Sequence, residues 1–114
     1  MAEINIQIQS DQNTHIVILQ GQLDESTVVN FSEQVYKLID SASENSRVIL
    51  DLEGLSYLNS KSIGYIADFF SRLESKNSKL VLAKAQPNVR DILNVVGIDQ
   101  IVPMTQTLNE AKNI

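Results

Sequence analysis

Val48-Ile49-Leu50-Asp51-Leu52, preceded by Arg47, is the stretch that most narrows the folds open to this chain. Successive apolar residues of strand-forming type leave no face for water, so the strand they predict must lie inside a sheet covered on both sides. Two-sided burial implies helices on both sides or a strand in the middle, and the flanking sequence contains candidate helices. From about Ser26 to Asp40, apolar Val28, Phe31, Val35, Leu38 and Ile39 recur at spacings that put them on one helical face. Ile63, Ile66, Ala67, Phe70 and Leu73 do the same between Ser60 and Lys76, and Lys79-Leu80-Val81-Leu82-Ala83 reads as the next strand. Strands alternating with helices predict parallel pairing through right-handed crossovers.

The two ends of the chain add different elements. Ile4, Ile6 and Ile8 alternate with Asn5, Gln7 and Gln9, the pattern of an outer strand with one wet face. After the turn-prone Ser10-Asp11-Gln12-Asn13, the run His15 to Gln20 completes a hairpin that Gly21 is expected to end. Toward the C-terminus, Pro87 suits the first turn of a helix carrying Val89, Ile92, Leu93 and Val96, with Gly97 as its stop. Ile101-Val102 reads as a short last strand, and Thr107-Leu108-Asn109-Glu110 has the spacing of a capping box. The expectation is α/β: one small domain over 1–114, with a mixed sheet of about five strands (an N-terminal hairpin, then parallel strands) and about four helices. A chain of 114 residues has room for one core and no more.

Residue types exclude much of the usual chemistry. Without cysteine there is no thiol nucleophile, thiolate metal site or disulfide. One histidine, His15, leaves most zinc centres short of ligands, and its place at the start of a strand reads as surface or edge. The formal net charge of −5 opposes a general grip on nucleic-acid phosphates. No apolar run approaches the roughly 20 residues of a membrane helix, and Met1-Ala2-Glu3-Ile4-Asn5 lacks the basic start of a secretory signal. A cytoplasmic protein with no nucleic-acid or membrane partner is therefore expected. Glycines at 21, 54, 64 and 97 are too scattered for a phosphate loop, so no nucleotide cofactor is expected, and no metal either. Asp24, Glu25, Asp51 and Glu53 lie near strand ends; rather than a magnesium or acid–base site, Asp24 is read as a helix start, Asp51 as a strand cap, and Glu25 and Glu53 as solvated. The few aromatics, Tyr57, Tyr65, Phe69 and Phe70, have no basic residues interleaved and make no base-stacking platform.

The segment with most functional content is Leu55-Ser56-Tyr57-Leu58-Asn59-Ser60-Lys61-Ser62-Ile63-Gly64. It sets small polar residues between a buried strand and an amphipathic helix, at the carboxyl edge of the sheet where α/β domains place ligands and partners. Ser60 is expected to be the N-cap.

Across nearly the whole chain, the order of elements resembles a STAS domain, and in particular the stand-alone anti-sigma-factor antagonists of bacteria. The resemblance is carried by Gly21-Gln22-Leu23-Asp24, Val48–Leu52, Asn59-Ser60-Lys61-Ser62-Ile63-Gly64, Leu80-Val81-Leu82-Ala83 and Val89-Arg90-Asp91-Ile92-Leu93-Asn94-Val95-Val96-Gly97-Ile98. It implies a non-enzymatic partner switch. In that family a loop reading Asp-Ser-Ser/Thr-Gly-Leu-Gly carries a serine phosphorylated by an anti-sigma factor, itself a serine kinase with a histidine-kinase-like ATPase fold; a PP2C-type phosphatase is the opposing partner. That serine falls on Ser60, with Ser62 as second choice. Here Asn59 replaces the aspartate, Lys61 the second Ser/Thr and Ser62 the glycine. The implied partner-binding residues are Asp24, Asn59, Ser60, Lys61, Ser62 and Ile63. A constitutive interaction or scaffold module, with a loop never phosphorylated, is the rival expectation. Direct binding of a small anion or nucleotide by the helix end is a third.

Overall fold

The computed structural model describes residues 2–114. Five strands, β1 (Ile4–Asp11), β2 (Thr14–Leu23), β3 (Arg47–Leu58), β4 (Lys79–Ala83) and β5 (Met104–Thr105), form one sheet in chain order. β1 pairs antiparallel with β2, and every later pair is parallel, so the mixed sheet expected from the hairpin is present. The helices are α1 (Val28–Ser41), α2 (Ser60–Glu74), α3 (Pro87–Val95) and α4 (Leu108–Lys112). Among the described residues, no helix is long and apolar enough to cross a membrane.

The doubly apolar β3 is covered as its sequence demands. Val48, Leu50 and Leu52 join Val17, Leu19, Leu80 and Leu82 beneath α1, α2 and α3, in a core that Phe31 and Phe69 fill edge to face at 5.5 Å. Ile49 points the other way, meeting Ile16, Val81, Ala83 and Ala111 of α4. That fourth helix has only five residues, and its start is fixed by the expected capping box. The Glu110 N–H donates to Thr107 Oγ1 at 3.0 Å, and the Thr107 N–H donates to Glu110 Oε1 at 3.1 Å.

Several boundaries differ from expectation, each for a local reason. β2 does not stop at Gly21; it continues to Leu23 because Gly21, at φ +123°, lets the strand pass tight against the backbone of Glu3. β3 runs to Leu58 rather than Leu52, through shifts in its register with β2. A Cβ at Gly54 would stand 2.9 Å from the Leu19 carbonyl, so glycine is what permits this close approach. α1 begins at Val28, after a turn rather than at Ser26. Ile101-Val102 is not a strand. A 3-10 turn at Ile98–Gln100 follows left-handed Gly97, Val102 drops into the core, and β5 forms at Met104–Thr105, pairing with Leu82 and Ala83.

Candidate functional site

At the carboxyl edge of the sheet, β2 and β3 end side by side at the paired residues Leu23 and Leu58. The Asn59 N–H donates to the Leu23 carbonyl at 3.0 Å, which carries the pairing one residue past the strand before α2 begins. Asn59, not Ser60, is the N-cap. Its backbone is extended, and its Oδ1 accepts both the Ser62 N–H at 2.9 Å and the Ser62 hydroxyl at 2.6 Å. Asparagine accepts these bonds from a β-region backbone, as a helix start requires.

Consequently the three serines around the cap have separate fates. Ser62 is 0% exposed and its hydroxyl donates to Asn59 Oδ1. The Ser56 hydroxyl donates to the Gly21 carbonyl at 3.2 Å. Ser60 is the first helical residue and is exposed; its hydroxyl has no hydrogen-bond partner among the described residues. The Ser60 and Lys61 N–H groups are likewise without partners there, as the first turn of a helix dictates. Lys61 is exposed beside them, and Ile63 is half-buried against the core. No acidic residue lies in this first turn.

Asp24 borders the site from the β2 side. Its Oδ1 accepts the Ser26 hydroxyl at 2.7 Å and the Ser26 N–H at 2.8 Å, and its own N–H donates to Thr27 Oγ1 at 2.9 Å. The Ser26 hydroxyl is the main cause holding the Asp24 carboxyl below its ordinary value, against a smaller opposing effect of burial. On the other side, Gln86 and Asn88 of the α3 start donate to the backbone carbonyls of Glu53 and Ser56, at 2.6 and 2.9 Å. The extension of β3 is thereby braced, and Tyr57 is left 45% exposed near the cap.

The four carboxylates near strand ends do not meet. Asp51 is buried within β3 and accepts the Glu53 N–H, Glu53 pairs with Lys84 at 3.2 Å, and Glu25 is exposed. Among the described residues no group of His and acidic side chains could hold a metal ion. His15 sits at the opposite end of the sheet, its Nδ1 2.7 Å from Ser10 Oγ.

Sequence reading missed a cluster on the outer surface where α1 meets α2. The Tyr36 hydroxyl donates to Asp68 Oδ2 at 2.5 Å, Arg72 Nε donates to the same oxygen at 2.9 Å, and the guanidinium lies 4.4 Å over the Tyr36 ring. Burial, followed by the bond to Asp68, pushes Tyr36 up to about 12, while the Tyr36 hydroxyl and then Arg72 hold Asp68 low. The pair clamps the two helices. The i, i+4 spacing of Asp68 and Arg72 was the only visible signal, because Tyr36 comes from another helix.

Comparison with known proteins places this geometry. BtrV of Bordetella bronchiseptica, a protein assigned as an anti-sigma factor antagonist, is 25% identical over 96 residues, covering 84% of this chain and 81% of its own. The crystal structure of an anti-sigma factor antagonist from Mycobacterium paratuberculosis superposes with a TM-score of 0.82 at 19% identity, over 97% of this chain and 92% of that one. SpoIIAA in its unphosphorylated form gives 0.81 at 23% identity, over 96% and 94%. The family model for the STAS domain matches residues 5–111, and the chain belongs to that family.

Proposed function

We propose that this STAS domain is an anti-sigma-factor antagonist that switches partners through Ser60. In its unphosphorylated form it binds an anti-sigma factor that is also a serine kinase. Transfer of a phosphoryl group then ends the complex, and a PP2C-type phosphatase restores the first state. BtrV supports the antagonist role, and the description of SpoIIAA as unphosphorylated supports a phosphorylated counterpart in the family. The protein itself performs no catalysis in this cycle and acts in the cytoplasm.

The observation that carries the reading is the free hydroxyl of Ser60 beside a cap that does not need it. In the transfer, Ser60 Oγ attacks the γ-phosphorus of ATP, the bond to the ADP oxygen breaks, and the hydroxyl proton passes to a base of the kinase. The product carries about −1.5 to −2 charges at a helix N-terminus, where unpaired N–H groups and the dipole favour an anion. The fold accepts the phosphate more readily than a docked partner does. Weakening the contact 100-fold requires only about 2.8 kcal/mol. The docking surface is Asn59, Ser60, Lys61, Ser62 and Ile63 with the Asp24 turn; Asn59 and Ser62 contribute by shaping the backbone.

Incubation with ATP and an anti-sigma factor of the histidine-kinase-like type from the same cells should place one phosphate on Ser60 by peptide mapping and dissolve the complex that forms without ATP. Absence of both the phosphate and the nucleotide-dependent complex sinks the switch. The specific observation for a constitutive scaffold module instead is Lys61, which sets a cation next to Ser60. In that case Ser60→Asp leaves partner affinity unchanged.

A further inference from the structure

The open edge of the sheet at β1 is unusually bare. The Gln22 N–H donates to the Glu3 carbonyl and the β1–β2 register is regular, so the backbones of Asn5, Gln7 and Gln9 face β2. Alternation then turns the N–H and C=O groups of Ile4, Ile6 and Ile8 outward, and among the described residues none of them has a partner. Exposed edges of this length usually carry a lysine, a proline, a bulge or a covering element. From Ile4 to Ser10 there is no charge and no proline, and the pairing with β2 has no bulge. The other edge, β5, is only two residues long and is blunted by that alone.

We propose that β1 pairs antiparallel with β1 of a second copy, joining two five-stranded sheets into one. The strand is complementary to itself. With Ile6 on the two-fold axis, Ile4 stands opposite Ile8 of the second copy, Asn5 opposite Gln7 and Glu3 opposite Gln9. All the isoleucines face one side, and neither acid meets another acid. Sliding by one step, so that Gln7 lies on the axis, sets Glu3 against Asp11 twice and is disfavoured. The chosen register makes hydrogen-bonded pairs of the residues whose backbones point outward. It also covers Ile8, which is 40% exposed beside a groove of about 390 Å³ lined by Gln34, Lys37, Leu38 and Ser41. The second copy's Ile4 enters at that groove. Because antiparallel pairing reverses strand direction, the two Ser60-bearing edges point to opposite ends of the dimer and stay open. The inference does not depend on phosphorylation.

One strand pair buries less than the roughly 1,200 Å² of stable complexes, and each copy carries a net charge of −5, so the dimer is weak and salt strengthens it. In sedimentation, the average mass should rise from 12.7 kDa toward twice that value as the concentration enters the millimolar range. The dissociation constant should fall several-fold with added salt. Over the same range, hydrogen exchange at the Ile4, Ile6 and Ile8 amides should slow, while Asn5, Gln7 and Gln9 are protected throughout. Ile8→Lys should weaken the dimer at least tenfold. Ile8→Pro removes an N–H that β2 does not use, and it should do the same without loss of the monomer's circular dichroism. A constant mass overturns the proposal, as does a dimer that salt weakens or that leaves these three amides unprotected. Protection of these amides at unchanged mass would mean that a segment of the same chain covers the strand, and it too overturns the proposal.

Discussion

α1 and α2 both begin at the carboxyl edge of the sheet, and both have an exposed serine at the start, yet the two serines are used differently. Before α1, Ser26 is tied by its hydroxyl and its N–H to Asp24, and Thr27 at the cap position donates its buried hydroxyl to the Gln22 carbonyl at 2.8 Å. Thr27 makes no side-chain bond to the first turn of α1. At α2, Asn59 closes the turn through Ser62, and Ser60 is left out of the network. A phosphoryl group on Ser26 would displace a hydrogen bond and stand against a fixed carboxylate. On Ser60 it would displace nothing and lie beside Lys61. The difference shows what leaves a serine hydroxyl at a helix start without a partner: the cap is supplied by a neighbouring residue.

The most damaging way to break this contrast is to remove the cap itself. Asn59→Ala deletes a cap bond of about 1 kcal/mol and leaves the fully buried Ser62 hydroxyl unpaired, which adds about 1–3 kcal/mol. A loss of about 2–4 kcal/mol should appear in urea unfolding, whereas Ser60→Ala should stay within about 0.5 kcal/mol. Equal losses for the two variants would mean that Ser60, too, holds the helix together.

The next effect is on binding. Ser60→Asp should weaken the complex with the anti-sigma factor at least tenfold, about 1.4 kcal/mol by titration calorimetry. Ser26→Asp, already beside a carboxylate at the edge of the surface, should change it by less than about twofold. If Ser26→Asp proves the more harmful, the docking surface is centred on the Asp24 turn instead.

How this contrast arises was only half legible in the sequence. The order of elements, the two-sided burial of β3 and the capping box of α4 follow from apolar spacing and turn chemistry, which act over a few residues. The cap of α2 was misplaced by one position because Asn59 and Ser60 are both good cap residues. What decides between them is the Asn59 N–H bonded to Leu23, a residue 36 positions earlier in the chain. The extension of β3 was missed for a related reason. Its alternation breaks at Glu53-Gly54, and Leu55 and Leu58 return to the core only because two register shifts against β2, each with an extra residue in β3, restore the side. Their spacing of three was the available signal. Ile101 and Val102 looked like a strand by composition, but pairing with β4 is taken up by Met104 and Thr105.

A smaller effect concerns Lys61. In the phosphorylated protein its ammonium offsets part of the new charge, by about 1 kcal/mol for each unit of charge at about 4 Å in water. Lys61→Ala, which also trims the docking surface, should therefore weaken the binding of the phosphorylated form several-fold more than it weakens that of the unphosphorylated form. Identical residual binding in the two phosphorylated proteins would show that shape, not charge, separates the partners.

The smallest effect tests the α1 side. Bonds from Ser26 hold the Asp24 carboxyl below its ordinary value, which means the folded state prefers the ionised form. That preference stabilises the fold above the unfolded pKa, about 3.9, and is lost as pH falls through the lower folded value. Ser26→Ala removes the main cause, so the Asp24 side-chain carbon should titrate at a higher pH in an NMR series. The variant should also lose less stability than the wild type on acidification across that window. Ser60→Ala should not move the Asp24 titration, because no hydrogen bond links the Ser60 hydroxyl to the Asp24 turn among the described residues. A shift of Asp24 on changing Ser60 would show that the two helix starts are electrically coupled, and phosphate on one would then be felt at the other.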